Sequence, residues 1–511
     1  MDFRLFIILA LLLSSCAQVG TITGGEKDTV APNPTQTNPE NGTVGFDQKS
    51  FTLDFDEYIQ LSSPLQTMSI VPGGIKLDAQ LNKKQVTVKL DGDFKPNTTY
   101  VVSFNGTIKD VTEGNDSLIQ YVFSTGTSID SAELCVNVTD AWSLAPMDKI
   151  VVGLFTDTNE VSPYYFAKTG RDGMARFRYL RNGKYVVRAF EDLNGDLSIQ
   201  PQERCGFSSD TADIQAGKID TLAVRMFNPV TKRKVNTFKT AGINRYVVGA
   251  NFSLLDATLS LNGSLLENGG LSHITEDSLY IYQRFSDLTE SNLVVLKDTF
   301  VDTLRTRISA KDKAFPIRIE SKRKGGLYTP LDTLTFSVNG RITALDSGFI
   351  FVKNLADSSF VPFHLAYRDM NQFTVVTTTK VEKGVVVFKK GSINCGSTQV
   401  MDSTGFTFQY GELEDFGVLY AVLRDFTGPL ILQLKRGNET ISERLCSGGT
   451  TVQYDYLEPA EYTFVLIEDF NGDGKWSEGD LKQRIQPEAV YRFSKPTKVR
   501  ANWDVSVELQ P

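Results

Sequence analysis

The chain has 511 residues, of which 41% are hydrophobic and 22% are charged, and its formal net charge is −8. This length exceeds what one hydrophobic core supports, so it predicts roughly three to five folded domains. An acidic chain without a clustered basic face excludes nucleic acid as a partner.

The first sixteen residues predict export and a lipid anchor. Arg4 precedes an apolar run over residues 5–13, which is too short to span a bilayer as a helix. The run ends in the letters LSSC, whose last residue is Cys16, and this stretch resembles the cleavage site of a bacterial lipoprotein signal peptide. The resemblance implies that residues 1–15 are removed and that Cys16 is acylated, with palmitate as an acyl chain, which would fix the protein to a membrane. The alternative is an ordinary secretory signal with an incidental cysteine.

A tether and a first folded module follow. Residues 16–37 are polar, contain several prolines and lack hydrophobic periodicity, so we predict a flexible tether. Within residues 38–127, apolar and polar side chains alternate over 50–55 and again over 85–90, with turn residues between the runs. Strands of period 2 at this spacing predict an antiparallel β-sandwich.

Three short stretches of the first module carry a family resemblance. They read GGEKDTVAP (24–32), NPENG (38–42) and LDFDEYI (53–59). Together they resemble the bacterial Ig-like domain of surface-layer proteins, and more closely the lipoproteins of Bacteroidota that carry this domain directly after a lipidated cysteine. The resemblance implies an Ig-like fold for residues 38–127 and an outer-membrane location for a lipid-anchored protein.

A repeated motif predicts a duplicated module. The letters FRYLRNGKY (177–185) and DLNGD (192–196) match YDYLEPAEY (454–462) and DFNGDG (469–474) without a gap, at an offset of 277 residues. Internal self-similarity of this kind indicates a repeated structural unit.

The remaining chain divides around this repeat. Residues 128–227 and 396–511 resemble transthyretin-like or carboxypeptidase-regulatory-like β-sandwiches, 228–325 are predicted to form a further β-sandwich, and 326–395 are predicted to form a second Ig-like domain. The predicted fold class is therefore all-β, with tandem β-sandwich modules after a lipoprotein signal peptide.

The second copy of the motif matches the spacing of a calcium loop. Such a loop places oxygen ligands at positions 1, 3, 5, 7 and 12 and glycine at position 6. These ligand positions are occupied by Asp469, Asn471, Asp473, the backbone carbonyl of Lys475, and Asp480. Hard oxygen ligands favour Ca²⁺ over a transition metal, and we predict a structural role for the ion.

The first copy offers a similar set of oxygen atoms. The candidate ligands are Asp192, Asn194, Asp196, the backbone carbonyl of Ser198, and Glu203. This copy has Leu197 where glycine is expected, a costly replacement if the backbone there needs a positive φ. For both copies the alternative is a plain hairpin turn whose acidic side chains are solvated.

Four cysteines follow Cys16. Their even number in an exported chain suggests the disulfides Cys135–Cys205 and Cys395–Cys446, and the alternative is buried free thiols.

The sequence offers no recognisable catalytic motif. It has only two histidines, His273 and His364, and they fall in different predicted modules. We therefore predict a non-enzymatic scaffold that acts as an accessory subunit of an outer-membrane protein complex. The family resemblance is compatible with a complex that assembles β-barrel proteins. The alternative is a surface glycan-binding lipoprotein, which the presence of only three tryptophans disfavours, because one is predicted to be packed and the other two fall in separate modules.

Overall fold

A computed structural model describes residues 28–229, 232–241, 245–267, 270–282, 289–308, 316–323, 327–395 and 402–511. These residues form short strands arranged in five β-sandwiches, each with its own hydrophobic core. The predicted all-β fold with tandem sandwich modules is confirmed. No helix in the described ranges is long and apolar enough to cross a membrane. Cys16 and the predicted signal peptide lie outside the described residues.

Sandwich 1 consists of two sheets around a core rich in aromatic rings. Its elements are β1 (Pro34–Asn38), β2 (Ser50–Phe55), β3 (Ile59–Leu61), α1 (Pro64–Thr67), β4 (Met68–Val71), β5 (Lys76–Asn82), β6 (Gln85–Asp91), β7 (Thr99–Asp110) and β8 (Asp116–Ser124). One sheet has the order β1-β2-β6-β5, and in the other β7 pairs with β3, β4 and β8. Pro34 pairs with Phe55, so the sandwich begins inside the predicted tether 16–37. Proline is tolerated there because β1 is an edge strand.

Sandwich 2 has a different topology, with one parallel strand pair. Its strands are β9 (Ala132–Asp140), β10 (Val151–Phe155), β11 (Tyr165–Lys168), β12 (Met174–Leu180), β13 (Gly183–Phe190), β14 (Cys205–Phe207), β15 (Ala212–Ile214) and β16 (Ile219–Met226). The sheets have the orders β11-β10-β13-β14, with β15 also on β13, and β12-β9-β16. Strands β9 and β16 are parallel.

Sandwich 3 shares the strand order of one sheet with sandwich 1. Its strands are β17 (Val235–Thr240), β18 (Arg245–Ala250), β19 (Thr258–Leu261), β20 (Ser264–Leu265), β21 (Leu271–Thr275), β22 (Ser278–Tyr282), β23 (Glu290–Lys297) and β24 (Phe300–Arg307). The sheets have the orders β17-β18-β22-β21 and β20-β19-β23-β24. The first of these sheets pairs its strands as β1-β2-β6-β5 does in sandwich 1.

Sandwich 4 repeats the topology of sandwich 3. Its strands are β25 (Ile319–Ser321), β26 (Leu334–Val338), β27 (Ala344–Leu345), β28 (Ile350–Asn354), β29 (Phe360–Val361), β30 (Phe363–Asp369), β31 (Gln372–Thr377), β32 (Lys383–Phe388), β33 (Ile393–Asn394) and β34 (Thr404–Gln409). The sheets have the orders β25-β26-β31-β30 and β29-β28-β32-β34, with a small β27-β33 pair. Its core extends from Ile317 to Phe408 and is wider than the predicted range 326–395.

Sandwich 5 has the topology of sandwich 2. Its strands are β35 (Gly417–Leu423), β36 (Pro429–Arg436), β37 (Glu439–Ser447), β38 (Thr451–Leu457), β39 (Ala460–Glu468), β40 (Val490–Val499) and β41 (Asp504–Leu509). The sheets have the orders β37-β36-β39-β40 and β38-β35-β41, with β35 and β41 parallel.

The strand register supports the predicted duplication of sandwiches 2 and 5. Phe177 pairs with Leu134 in sandwich 2, and Tyr454 pairs with Leu419 in sandwich 5. A register shift follows at the same place in both, before Leu180 pairs with Ala132 and before Leu457 pairs with Gly417. The two copies therefore share a fold, and not only a turn motif.

The described residues form two compact units. One contains sandwiches 1 and 2, except for residues 141–144 and 201–204; the other contains those two segments and sandwiches 3, 4 and 5. Within the second unit, the Asn371 side chain of sandwich 4 donates to the Ser272 hydroxyl of sandwich 3 at 3.1 Å. Lys475 of sandwich 5 forms an ion pair with Glu276 of sandwich 3.

Candidate functional site

The repeated motif forms two loops with the same hydrogen bonds. Loop A (192–203) joins β13 to β14, and loop B (469–488) joins β39 to β40. In loop A the Asp196 N–H donates to Asp192 Oδ1 at 3.0 Å, and in loop B the Asp473 N–H donates to Asp469 Oδ1 at 3.1 Å.

The next aspartate in each loop accepts an equivalent bond. Asp196 Oδ1 accepts from the Ser198 N–H and Asp473 Oδ1 accepts from the Lys475 N–H, both at 2.8 Å. The Asn194 and Asn471 amides donate to the same two aspartates at 2.9 and 3.1 Å. These side-chain-to-backbone bonds fix the tight turns of both loops.

The backbone at loop position 6 is left-handed in both copies. Gly474 has a φ of 75° and Leu197 a φ of 57°. Glycine adopts this conformation freely, whereas leucine carries a steric penalty of roughly 1–2 kcal/mol. The sequence prediction of an unfavourable residue in loop A is therefore confirmed.

Glu488 is a buried acid of loop B that the sequence did not reveal as a candidate ligand. Its Oε1 accepts from the Phe470 N–H at 3.0 Å, and its Oε2 accepts from the Ser477 N–H at 2.8 Å. Glu488 and Asp469 are only 4% and 3% exposed. Burial raises the pKa of the Glu488 carboxyl, and the nearby charge of Asp469 raises it further.

Asp480, the predicted acid at position 12, belongs to a turn of its own. Its Oδ1 accepts from the Lys482 N–H at 2.8 Å and from the Gln483 N–H at 3.0 Å. In the described ranges, no three His, Cys, Asp or Glu side chains are grouped closely enough to hold one metal ion. The side-chain oxygen atoms of Asp469, Asn471 and Asp473 instead accept hydrogen bonds from donors within loop B itself.

Glu203 and Glu488 occupy equivalent positions in the two copies. Glu203 lies two residues before Cys205, which pairs with Phe190, and Glu488 lies two residues before Val490, which pairs with Ile467. Fifteen positions separate Asp473 from Glu488 (488 − 473) but only seven separate Asp196 from Glu203 (203 − 196), so loop B is eight residues longer. This insertion hides the equivalence in the sequence.

The two loops differ in how their candidate ligand residues are distributed between the two compact units. Glu203 lies in the second compact unit, whereas Asp192, Asn194, Asp196 and Ser198 lie in the first. Only loop B has all its candidate oxygen atoms within one compact unit.

The side chain of Trp476 in loop B packs against that of Trp142. The Trp476 indole N–H donates to the Glu488 carbonyl at 2.9 Å, and its ring centroid is 5.1 Å from that of Trp142. Both rings pack on the buried residues Ile431, Val465, Ile467 and Val490. The predicted packing of Trp476 is confirmed. Trp142 lies in segment 141–144 of the second unit, so these two tryptophans are neighbours although the sequence places them in separate modules.

None of the four described cysteines is in a disulfide, so the candidate disulfides Cys135–Cys205 and Cys395–Cys446 are absent from this structure. Cys135 alternates with the buried core residues of β9 and therefore points away from the core. Cys395 and Cys446 lie in different sandwiches. Burial raises the pKa of the Cys395 thiol to about 12 and also raises that of Cys446.

Comparison with known proteins supports the fold of the first module. Residues 28–125 match the family model described as a bacterial Ig-like domain. No curated protein is similar enough to count as a relative.

Solved structures align only loosely. The major pilin subunit BcpA of Bacillus cereus is 10% identical, with 75% of this chain and 99% of that chain covered and a TM-score of 0.16. SGBP-B from the mixed-linkage glucan utilization locus of Bacteroides ovatus is 11% identical, with 72% and 94% covered and a TM-score of 0.20.

Proposed function

We propose that this protein is a lipid-anchored, non-enzymatic scaffold of the outer membrane that binds other envelope proteins, as an accessory subunit of an outer-membrane protein complex. The resemblance of residues 1–16 to a lipoprotein signal peptide supports the anchor at Cys16. The resemblance to Bacteroidota lipoproteins supports the outer membrane as its location. The match of residues 28–125 to a bacterial Ig-like domain fits a structural or binding role.

The duplicated loop is the observation that carries the protein-binding role. At position 2, loop A has Leu193 and loop B has Phe470, and these side chains are 73% and 71% exposed. The loops that present them are held by equivalent hydrogen bonds, so little conformational entropy is lost when a partner covers the apolar side chain. Each loop therefore offers a partner protein an exposed apolar side chain on a rigid backbone.

The placement of the histidines supports a role without catalysis. His273 lies on β21 of sandwich 3 and His364 on β30 of sandwich 4. These two strands belong to different sheets, so the two histidines do not meet in one site.

We also infer that loop B binds Ca²⁺ as a structural ion. Asp469, Asn471 and Asp473 keep the turn geometry of a calcium loop, and Gly474 has the required positive φ. Glu488 supplies the remaining carboxylate if it turns away from the Phe470 N–H. The ion would neutralise two buried acids and leave the surrounding fold unchanged.

Affinity purification from detergent-solubilised membranes tests the scaffold proposal. We expect the tagged wild-type chain to retain an envelope protein and the double variant Leu193→Asp with Phe470→Asp to lose it. Leu265→Asp, at a position that is 66% exposed in sandwich 3, is the matched control and should retain the partner. Equal recovery by all three chains would contradict the role of the loops.

A further inference from the structure

Two polar recesses of the second unit adjoin each other between sandwiches 4 and 5. Their volumes are about 380 and 500 Å³, and both are lined by Lys322, Arg323 and Asp332 of sandwich 4. The larger recess is completed by residues of β37 and β38, among them Arg444, Tyr454 and Tyr456. We call the two recesses together the polar cleft. Its size is within the range of about 300–1,000 Å³ that is common for ligand sites.

An ion-pair network holds the two walls of the polar cleft in place. Arg323 donates to Asp332 at 2.9 Å within sandwich 4 and to Glu458 of sandwich 5 at 2.8 Å. Glu458 also accepts from Arg436 at 2.8 Å. Because Glu458 bonds to an arginine from each sandwich, the cleft is preorganised, which reduces the cost of binding.

The polar cleft contains donors that the protein itself does not satisfy. The Tyr454 hydroxyl and Arg323 Nε are buried and have no hydrogen-bond partner among the described residues. Tyr454 is 2% exposed, and the Arg444 guanidinium lies over its ring at 4.5 Å from the centroid. Buried polar atoms without partners are rare, and an unseen ligand or water is a common explanation.

Tyr456 gives the polar cleft an exposed aromatic ring. This residue is 38% exposed, and its backbone is held in the left-handed region at a φ of 55°. The equivalent Tyr179 of sandwich 2 has a φ of 59°, so the unusual backbone belongs to the duplicated fold. The surrounding cleft distinguishes Tyr456 from its counterpart. An aromatic ring beside hydrogen-bonding groups offers one apolar face and polar edges.

The charges that line the polar cleft nearly cancel. The larger recess has four basic and four acidic side chains among its described lining residues, together with threonine, serine and tyrosine hydroxyls. An anionic ligand would need an excess of basic groups, and an apolar ligand would leave these polar groups without water. A ligand with many hydroxyl groups can donate and accept hydrogen bonds at the same time and can stack its apolar face on Tyr456.

We propose that the polar cleft between sandwiches 4 and 5 binds an uncharged saccharide chain. The sugar ring stacks on Tyr456, and its hydroxyl groups bond to Arg444 and to the carboxylate of Asp455. This site goes beyond the scaffold role, and its loss would leave that role unchanged.

Isothermal titration calorimetry on the lipidated full chain in a non-glycosidic detergent tests the site. The probes are cellohexaose, laminarihexaose, maltohexaose and, as the charged control, trigalacturonate. We expect at least one neutral hexasaccharide to bind with a dissociation constant below about 1 mM. Tyr456→Ala should weaken that affinity at least about tenfold. Tyr179→Ala is the matched control, because it removes a tyrosine from the same left-handed position of the other copy, and it should bind like the wild type.

Asp455→Asn provides a second variant that keeps the shape of an exposed side chain, in case Tyr456→Ala does not fold. It should also weaken binding. Binding of trigalacturonate alone would overturn the proposal in favour of an anion site. Failure of every probe, or binding that neither cleft variant changes, would overturn it as well.

Discussion

Arg323 and Glu458 form an ion pair of 2.8 Å that joins sandwich 4 to sandwich 5. Glu458 lies at a corner that the duplication preserves, since the Tyr462 hydroxyl donates to the Glu458 carbonyl at 2.9 Å. In sandwich 2 the Tyr185 hydroxyl donates to the Arg181 carbonyl at 3.0 Å in the same way. The backbone corner is thus common to both copies, whereas the side chain at its centre differs and connects sandwich 5 to its neighbour.

This ion pair predicts a specific acid sensitivity. Burial would raise the pKa of Glu458, but its bonds to Arg323 and Arg436 outweigh burial and lower it overall. A lowered pKa contributes stability that is present above the unfolded value of about 4.3 and is lost as the pH falls through the folded value. We therefore expect the melting temperature of Glu458→Gln to fall less steeply than that of the wild type below about pH 4.

Calorimetric melts between neutral and acidic pH measure this difference. Glu508→Gln is the matched control, because Glu508 forms an exposed ion pair with Arg424 and exposed pairs contribute little. The melting temperature of Glu508→Gln should fall at acidic pH as that of the wild type does. If the melting temperature of Glu458→Gln also fell as steeply as that of the wild type, the prediction would be contradicted.

The residue at position 6 has a left-handed backbone in both loops, but it is glycine in loop B and leucine in loop A. Substitution at this position should therefore change the free energy of unfolding in opposite directions in the two loops. Gly474→Ala should lower the free energy of unfolding by about 1 kcal/mol because its φ of 75° disfavours a side chain. A Cβ there would lie 3.6 Å from Leu445, so steric overlap adds no further cost. Leu197→Gly should raise the free energy of unfolding, by at most about 1 kcal/mol.

Chemical denaturation followed by circular dichroism measures both changes. Leu193→Gly is the control within loop A, because Leu193 is not among the residues with positive φ. It should lower stability or leave it unchanged. Destabilisation by Leu197→Gly comparable to that by Leu193→Gly would show that the backbone of loop A is not strained at this residue.

Calcium should stabilise the chain through loop B. Since burial and Asp469 raise the pKa of Glu488, ionisation of this acid costs stability as the pH rises through its folded pKa. A bound cation would remove this cost and add binding energy. We expect the melting temperature at neutral pH to be higher in CaCl₂ than in EGTA, and the difference to vanish in Asp469→Ala with Asp473→Ala.

Two single variants identify the carboxylate that completes the calcium site. Glu488→Gln should abolish the calcium-dependent rise in melting temperature, whereas Asp480→Asn should retain it, because Asp480 bonds to its own turn. An unchanged wild-type melt with and without chelator would count against any site in loop B.

We predict that none of the four described cysteines is in a disulfide and that the buried ones react slowly with alkylating agents. Burial raises the pKa of Cys395 to about 12, so almost no reactive thiolate is present at pH 8. In the folded chain we expect iodoacetamide to leave Cys395 and the buried Cys205 unmodified. After unfolding without a reducing agent, peptide mass spectrometry should find all four described cysteines alkylated. A cysteine that is alkylated only after a reducing agent is added would indicate a disulfide.

The sequence predicted the fold class and the duplication, because period-2 strands and a repeated motif are local signals. It did not predict that β1 begins at Pro34, since an edge strand with proline resembles a tether. Glu488 was missed because an eight-residue insertion separates it from the rest of loop B. The bond between Arg323 and Glu458 was also missed, because 135 positions separate the two residues and no periodicity links them.

The sequence also could not predict the polar cleft. The presence of only three tryptophans in the sequence disfavoured glycan binding. Tyr454 and Tyr456 belong to the repeat motif that the sequence did reveal, but their neighbours Lys322 and Arg323 come from another sandwich. A cleft formed by two sandwiches gives no signal in either sequence segment alone.

The molar ratio of proteins recovered with the tagged chain from solubilised membranes tests the central claim most directly. Quantitative mass spectrometry should find one envelope protein near a one-to-one ratio with the wild type, and not with an unrelated tagged lipoprotein. Recovery of no stoichiometric protein partner, together with retention of polysaccharide, would contradict the scaffold function.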